Sequence, residues 1–418
     1  MLDAPIEWLE ASRVVVPLAE RISAPGVNVV EREFVVVRAA AGGEVGWGFG
    51  LTRGAALDDA VMRHLAPLVA GRPAGSIRAI WDAARRSVAM LGECGIFARS
   101  LSLVDLALWD LQGKLLGAPL WRLLGGSTNR VPCRAIMGYY RRDDPVGAVR
   151  REAERLVAAG YRTFKMPIGL DVALDRERLA AFREAAGKDV GLAVDAAGSM
   201  GSIKDALAAW RWLEPFDVEF LEDPFPATAW RQAARLAQAA PFKVAFGESV
   251  VAPENLGRLS GESGVDILRL DATAHLGATG FVMFANMALE NRRDVFPHYF
   301  PDLHAPLAAA LGGIEIEESP PEADTVGFRQ LRAVQPAIAN GAWQVTDRPG
   351  FGIGGMKMQS HAIPSPAAAW RPSEHGRRAG RSRGGHHRRG PRDRAGCRPA
   401  LHATWRDGHH RRHQRRTR

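Results

Sequence analysis

Residues 189–248 read DVGLAVDAAGSMGSIKDALAAWRWLEPFDVEFLEDPFPATAWRQAARLAQAAPFKVAFGE. Three short β-rich runs, GLAVD, VEFLED and KVAFGE, alternate with stretches of helical composition. Each run ends on or beside a carboxylate: Asp195, Glu222 and Glu248. One acidic residue at a strand end reads as a helix cap or a surface group. Three on consecutive strands read differently, because in a parallel barrel all strand C-termini meet at one mouth.

The same pitch continues on both sides. VPCRAIMGY, RTFKM, DILRLD, DVFPH and GIEIE bring the total to about eight strand–helix units from residue 131 onward. Polar residues close the runs at Lys165, Asp195, Glu222, Glu248, Asp271, His298 and Glu317, with intervals of 30, 27, 26, 23, 27 and 19 residues. This spacing predicts a (β/α) barrel. A doubly wound open sheet would carry a phosphate-binding glycine loop after its first strand, and MGYYRRDD at 137–144 is not one. Upstream, SRVVVPL, EREFVVVRA and EVGWGFG read as strands, and residues 55–71 and 74–91 as helices. Leu101, Val104, Leu108, Leu111 and Leu115 recur at helical spacing, and Gly117 and Pro119 end that helix. The expected organisation is an α+β capping domain at 1–130, the barrel at 131–330, a segment returning to the cap at 331–358, and a disordered tail at 359–418.

Carboxylates crowded at a barrel mouth repel by about 4 kcal/mol per pair at roughly 4 Å with an effective dielectric of about 20. A hard divalent cation resolves that repulsion, and an all-oxygen set suits Mg²⁺ better than Zn²⁺. The alternative is a solvated acidic rim balanced by Lys and Arg. Lys165, on the preceding strand, is placed to neutralise a substrate carboxylate or to act as a base. Asp271 and His298 end adjacent strands, where a carboxylate fixes the imidazole tautomer and raises the basicity of the other nitrogen. Glu317 ends the last strand, within reach of a substrate oxygen.

Composition bounds the rest. The chain has 418 residues, 46% of them hydrophobic, enough for a sizeable core. No apolar run is long enough for a transmembrane helix, so no membrane partner is expected. The N-terminus lacks the order of a signal peptide. Cys94, Cys133 and Cys397 are too dispersed for a disulfide framework, and a reducing cytoplasm fits. The formal net charge is +9, but residues 359–418 carry a net +13, leaving the body at −4. That segment has two branched aliphatics, Ile363 and Leu401, too few for a core. It reads as a disordered extension, as an arm that binds nucleic acid non-specifically, or as the Arg-rich, Lys-free product of a shifted frame in GC-rich coding sequence. Of 12 His, only His64, His275, His298 and His304 belong to the body.

ALWDLQGKLLGAPLWRLLGG, FKMPIG, VDAAGS, FLEDPF, FGES, LRLDATAHLGATG, the histidine of FPHYF and PGFGIGG together resemble the enolase superfamily, in the mandelate racemase and muconate lactonizing enzyme group. The resemblance covers about residues 10–356. It implies a modified TIM barrel, (β/α)7β, closed by an α+β capping domain, with Mg²⁺ on Asp195, Glu222 and Glu248. It implies removal of the proton α to a carboxylate, by a Lys or His base in such sites. Relatives are commonly homo-oligomers, and cap loops, here around 22–29 and 47–54, select the substrate. The chain departs from the family pattern at three places. Pro167 stands where a second lysine commonly serves as acid/base, Ala197 where an Asn is frequent, and Ala274, beside His275, where a Lys is frequent. One substrate face thus keeps a base, the Asp271–His298 dyad. Such asymmetry suits β-elimination of water from a small carboxylate, a sugar acid, by an acid-sugar dehydratase. A racemase or epimerase would need a second base, such as Tyr139 or Tyr140, and a catalytically silent relative is the remaining alternative.

Overall fold

In the computed structural model, the structure describes residues 1–25, 27–261, 264–320, 325–357 and 362–363. The runs rich in β-branched residues near the N-terminus form a twisted antiparallel sheet: β1 (Trp8–Ala24), β2 (Val27–Ala41) and β3 (Glu44–Leu51). Both faces are buried, which explains the near-continuous apolar run VVV of β2. Phe34, Val36, Phe49 and Leu51 face the barrel core, and Phe49 stacks on Phe328 with ring centroids 3.8 Å apart. Val35, Val37 and Ala39 face the cap helices Ile77–Ser87 and Ile96–Leu115.

The alternation of glycine in β3 has a packing cause. A Cβ on Gly46 or Gly48 would lie 2.1 Å from the carbonyl oxygen of Ala107 or Leu103. The helix Ile96–Leu115 therefore rests directly on the strand backbone. That helix is buried on nearly every side, as its all-round apolar sequence requires.

Among the described residues, eight parallel strands form the second domain: β4 (Arg130–Ile136), β5 (Thr163–Pro167), β6 (Gly191–Asp195), β7 (Val218–Glu222), β8 (Lys243–Phe246), β9 (Ile267–Leu270), β10 (Asp294–Pro297) and β11 (Ile316–Glu318). β4 to β10 pair in chain order, β10 and β11 are in contact, and β11 pairs parallel with β4. Seven helices connect them, from Pro145–Ala158 to Pro301–Leu311, giving the expected (β/α)7β barrel. Side chains of period two point inward. Ala193, Phe220, Ala245, Ile267 and Phe296 form an apolar plug. Two residues further along β6, β7 and β9, in the same alternation, stand Asp195, Glu222 and Arg269. The plug thus sets a floor beneath a charged layer at the strand C-termini.

After the barrel, Asn340 and Gly341, both at positive φ, turn a hairpin between β12 (Ala337–Ala339) and β13 (Ala342–Gln344). β13 adds antiparallel to β4. The chain then reaches the cap, where Asp110 on the long helix accepts from the backbone N–H of Phe351 at 2.8 Å and of Trp47 at 2.9 Å. Within the segment expected as a tail from residue 359, two residues are described as a strand. Ala362–Ile363 forms β14, which pairs with Arg13 and Val14 on the edge of β1. Ile363, one of the few aliphatics of that segment, extends a sheet edge whose N–H and C=O groups otherwise lack strand partners. The disordered extension, the nucleic-acid arm and the shifted-frame product expected of residues 359–418 otherwise lie outside the described residues.

Candidate active site

The strand ends bring all seven singled-out side chains into one connected network. Lys165, Glu222, Asp271, His298 and Glu317 are buried, and Asp195 and Glu248 are half-buried. Lys165 Nζ lies 2.7 Å from Glu222 Oε1, 2.7 Å from Glu317 Oε2 and 3.9 Å from Asp195 Oδ2. On the far side, His298 Nδ1 is 3.0 Å from Asp271 Oδ2, and its Nε2 is 3.3 Å from Glu248 Oε1. Asp271 Oδ1 accepts from the backbone N–H and the hydroxyl of Thr273, at 2.8 and 2.7 Å.

Arg269 is a site residue that the sequence reading passed over. It is fully buried, and its Nη2 lies 3.0 Å from Glu222, 3.2 Å from Glu248 and 3.0 Å from Glu317. Its Nη1 donates to the carbonyls of Phe296 and Pro297. The signal was present: ILRL is an apolar strand with one charge, at the parity of Ile267 and hence of the barrel interior. Asp223 and Tyr299, each next to a residue that was singled out, also reach the pocket.

These pairings set the charge states. Burial pushes the Glu317 carboxyl up, but Arg269 and Lys165 outweigh it and hold the group below the usual range. Burial likewise works against the charge of Lys165, yet Glu222, Glu317 and Asp195 keep its pKa above the usual value. Asp271 is held well below the carboxylate range, because hydrogen bonding and charge from His298 exceed the effect of burial.

The other body histidines do different work. His275 Nδ1 accepts from the backbone N–H of Asp271, and burial pushes its pKa down to about 4. His304 Nε2 accepts from the N–H of Ala272, and its Nδ1 donates to the carbonyl of Tyr299 at 2.6 Å. Both brace the loops that carry the dyad. The two tyrosines offered as alternative bases also separate. Tyr139 lines the pocket, with its hydroxyl 3.0 Å from that of Tyr299. Tyr140 is not a candidate: its hydroxyl donates to Asp175 at 2.5 Å, and its ring lies against the Arg178 guanidinium.

The pocket above the network holds ≈ 90 Å³ and is lined by both domains. Lys165, Pro167, Asp195, Ala197, Asp223, Glu248 and His298 come from the barrel, and Ala24, Arg32 and Arg53 from the cap. In this arrangement Lys165 and Arg269 draw the carboxylates aside, and no group of three His, Cys, Asp or Glu among the described residues forms a ready metal centre. The donor set nevertheless suits a hard cation. Glu222 Oε2 and Asp223 Oδ1 are buried without a hydrogen-bond partner. Burial, reinforced by neighbouring carboxylates, pushes Asp195 up and Glu222 to about 8. Carboxylate oxygens in such a state match an oxygen-seeking divalent ion.

Residues 12–125 match the mandelate racemase / muconate lactonizing enzyme N-terminal domain family, and residues 148–356 match the enolase C-terminal domain-like family. Arabinonate dehydratase of Saccharolobus solfataricus is 31% identical over 320 residues, 74% of this chain and 84% of the relative. The 3,6-anhydro-alpha-L-galactonate cycloisomerase of Streptomyces coelicolor is 29% identical over 355 residues, 83% of this chain and 96% of the relative. Among solved structures, L-talarate dehydratase from Polaromonas sp. JS666, complexed with Mg and L-glucarate, superposes with a TM-score of 0.79 at 27% identity. That match covers 88% of this chain and 100% of the other. Two family matches spanning cap and barrel, on a (β/α)7β fold with its polar groups at the strand C-termini, place the chain in the enolase superfamily, within the mandelate racemase and muconate lactonizing enzyme group.

Proposed function

We propose that the enzyme dehydrates a sugar acid, using the Asp271–His298 dyad as its one acid/base group. The observation that carries this reading is the pocket's asymmetry. His298 faces it with Nδ1 held by Asp271, while the family's second-strand base is replaced by Pro167, which has no proton to exchange. The dehydratases among the relatives support the same reaction class.

In this reading His298 Nε2 takes the α-proton, and the C–H electron pair moves into an enediolate. The β C–O bond then breaks, and the same nitrogen returns its proton to the departing hydroxyl as water forms. The resulting enol tautomerises to a 2-keto-3-deoxy acid. General acid–base help of this kind is typically worth about 10²–10⁴-fold. Asp271 fixes the tautomer and stabilises the imidazolium. Lys165 and Glu317 hold the substrate carboxylate and a neighbouring oxygen.

Mg²⁺ would be held by Asp195, Glu222 and Glu248, and when bound it supplies positive charge for the developing enediolate oxygens. The magnesium in the related talarate dehydratase supports that assignment. A racemase needs a second acid/base group across the substrate. Tyr139 is poorly suited, because burial and the Tyr299 hydroxyl push its pKa well above the usual value. The test is purified enzyme with Mg²⁺ and a panel of stereoisomeric sugar acids, scored for a 2-keto product. Formation of that product supports the reading; inversion at the α-carbon without dehydration contradicts it.

A further inference from the structure

The barrel's own cations are occupied by its carboxylates, but the cap brings arginines that, among the described residues, are not. Arg53 follows β3 and lines the pocket, and no ion pair or hydrogen bond engages its guanidinium among the described residues. Its φ is 53°, in the left-handed region that favours glycine, although Gly54 is the next residue. Backbone strain of this kind persists where surrounding structure and function hold it. Arg32 on β2 lines the same pocket, and its Nε donates to the carbonyl of Thr325 at 3.1 Å.

Guanidinium groups gathered on the cap side of a pocket, without carboxylate partners among the described residues, are complementary to an anion supplied by the ligand. We infer that the substrate is a dicarboxylate sugar acid, an aldarate, whose reacting end lies at the barrel mouth and whose distal carboxylate is received by Arg53, with Arg32 beside it. This rests on the sugar-acid dehydratase reading and adds the class of acid. An aldonate would place a neutral hydroxymethyl group against these cations. It would leave them desolvated and without an anion, which is how a charged site rejects a neutral analogue.

The experiment compares stereoisomeric six-carbon aldarates, the corresponding aldonates and their 6-phosphates. Binding to wild-type enzyme with Mg²⁺ is measured by calorimetry, and turnover separately. The expected result is at least tenfold tighter binding of one or more aldarates than of the matching aldonates. In Arg53→Gln and Arg32→Gln, aldarate affinity should fall at least tenfold more than aldonate affinity, with KM for the aldarate rising more than kcat falls. Arg53→Lys should recover part of the preference. Equal or tighter binding of aldonates overturns the inference, as do preference for the 6-phosphates, equal losses for both classes in the variants, or binding of neither class. Binding is read independently of turnover. An aldarate preference without any 2-keto product would contradict the dehydratase reading and leave the distal carboxylate site standing.

Discussion

Arg269 shows how much of the site depends on one side chain. It is a buried cation facing three carboxylates, and Lys165 balances the same group from another strand. Arg269→Met leaves that negative charge undercompensated, and breaking such a buried network typically costs about 3–5 kcal/mol. Chemical denaturation is expected to show a loss of that size, partly restored by added Mg²⁺. A variant as stable as wild type would contradict the charge balance described. Glu222→Gln is expected to weaken Mg²⁺ binding at least tenfold by calorimetry, and unchanged affinity would remove Glu222 from the ligand set. Asp271 has a folded-state pKa below its unfolded value of about 3.9. The stability it contributes is therefore complete above about pH 4 and is lost as the pH falls toward the folded pKa. Asp271→Asn should cost stability at neutral pH and less at pH 3, while slowing turnover about 10–100-fold. An equal loss at both pH values would contradict the assigned shift.

The strand ends were legible because period-two alternation and the regular pitch fix both which side chains point inward and where each strand stops. Lys165, Asp195, Glu222, Glu248, Asp271, His298 and Glu317 could thus be placed from sequence on one side of the barrel. Arg269 was not, although its inward parity was readable, because a strand-interior charge is hard to separate from a surface one without its partners. Arg53 was hidden for another reason: it reaches the pocket from the cap, through a contact between distant segments. The elements that create this contact can be tested. Asp105 on the long helix accepts from Thr279 N–H at 2.9 Å and from its hydroxyl at 2.7 Å, at the start of the helix Gly277–Glu290. Removing an N-terminal acceptor of this kind typically costs about 0.5–2 kcal/mol. Asp105→Ala should lower the melting temperature by several degrees, and an unchanged melting temperature would show that Asp105 does not anchor this cap helix to the barrel. Gly48→Val should be worse, because its side chain meets Leu103 backbone rather than a flexible group.

The cap and barrel share one apolar core, since Val14, Val16, Phe34, Val36, Phe49 and Leu51 belong to the same cluster as the barrel residues. The pocket is lined from both sides of that union, so the molecule presents a site built from two domains. Where the chain stops mattering is also testable. Ending it after Pro372 retains β14 and should leave the melting temperature unchanged, whereas ending it after Met358 removes β14 from the edge of β1 and should lower it by a few degrees. Equal stability of the two truncations would show that β14 contributes nothing. What the whole molecule is proposed to do rests on a single nitrogen handling both proton transfers. The direct measurement is exchange of the substrate α-proton in deuterated water, followed by NMR with Mg²⁺ present, in wild type and His298→Asn. Loss of both exchange and 2-keto product in His298→Asn is the predicted result. Exchange at the wild-type rate in that variant would reveal another base and contradict the one-base mechanism.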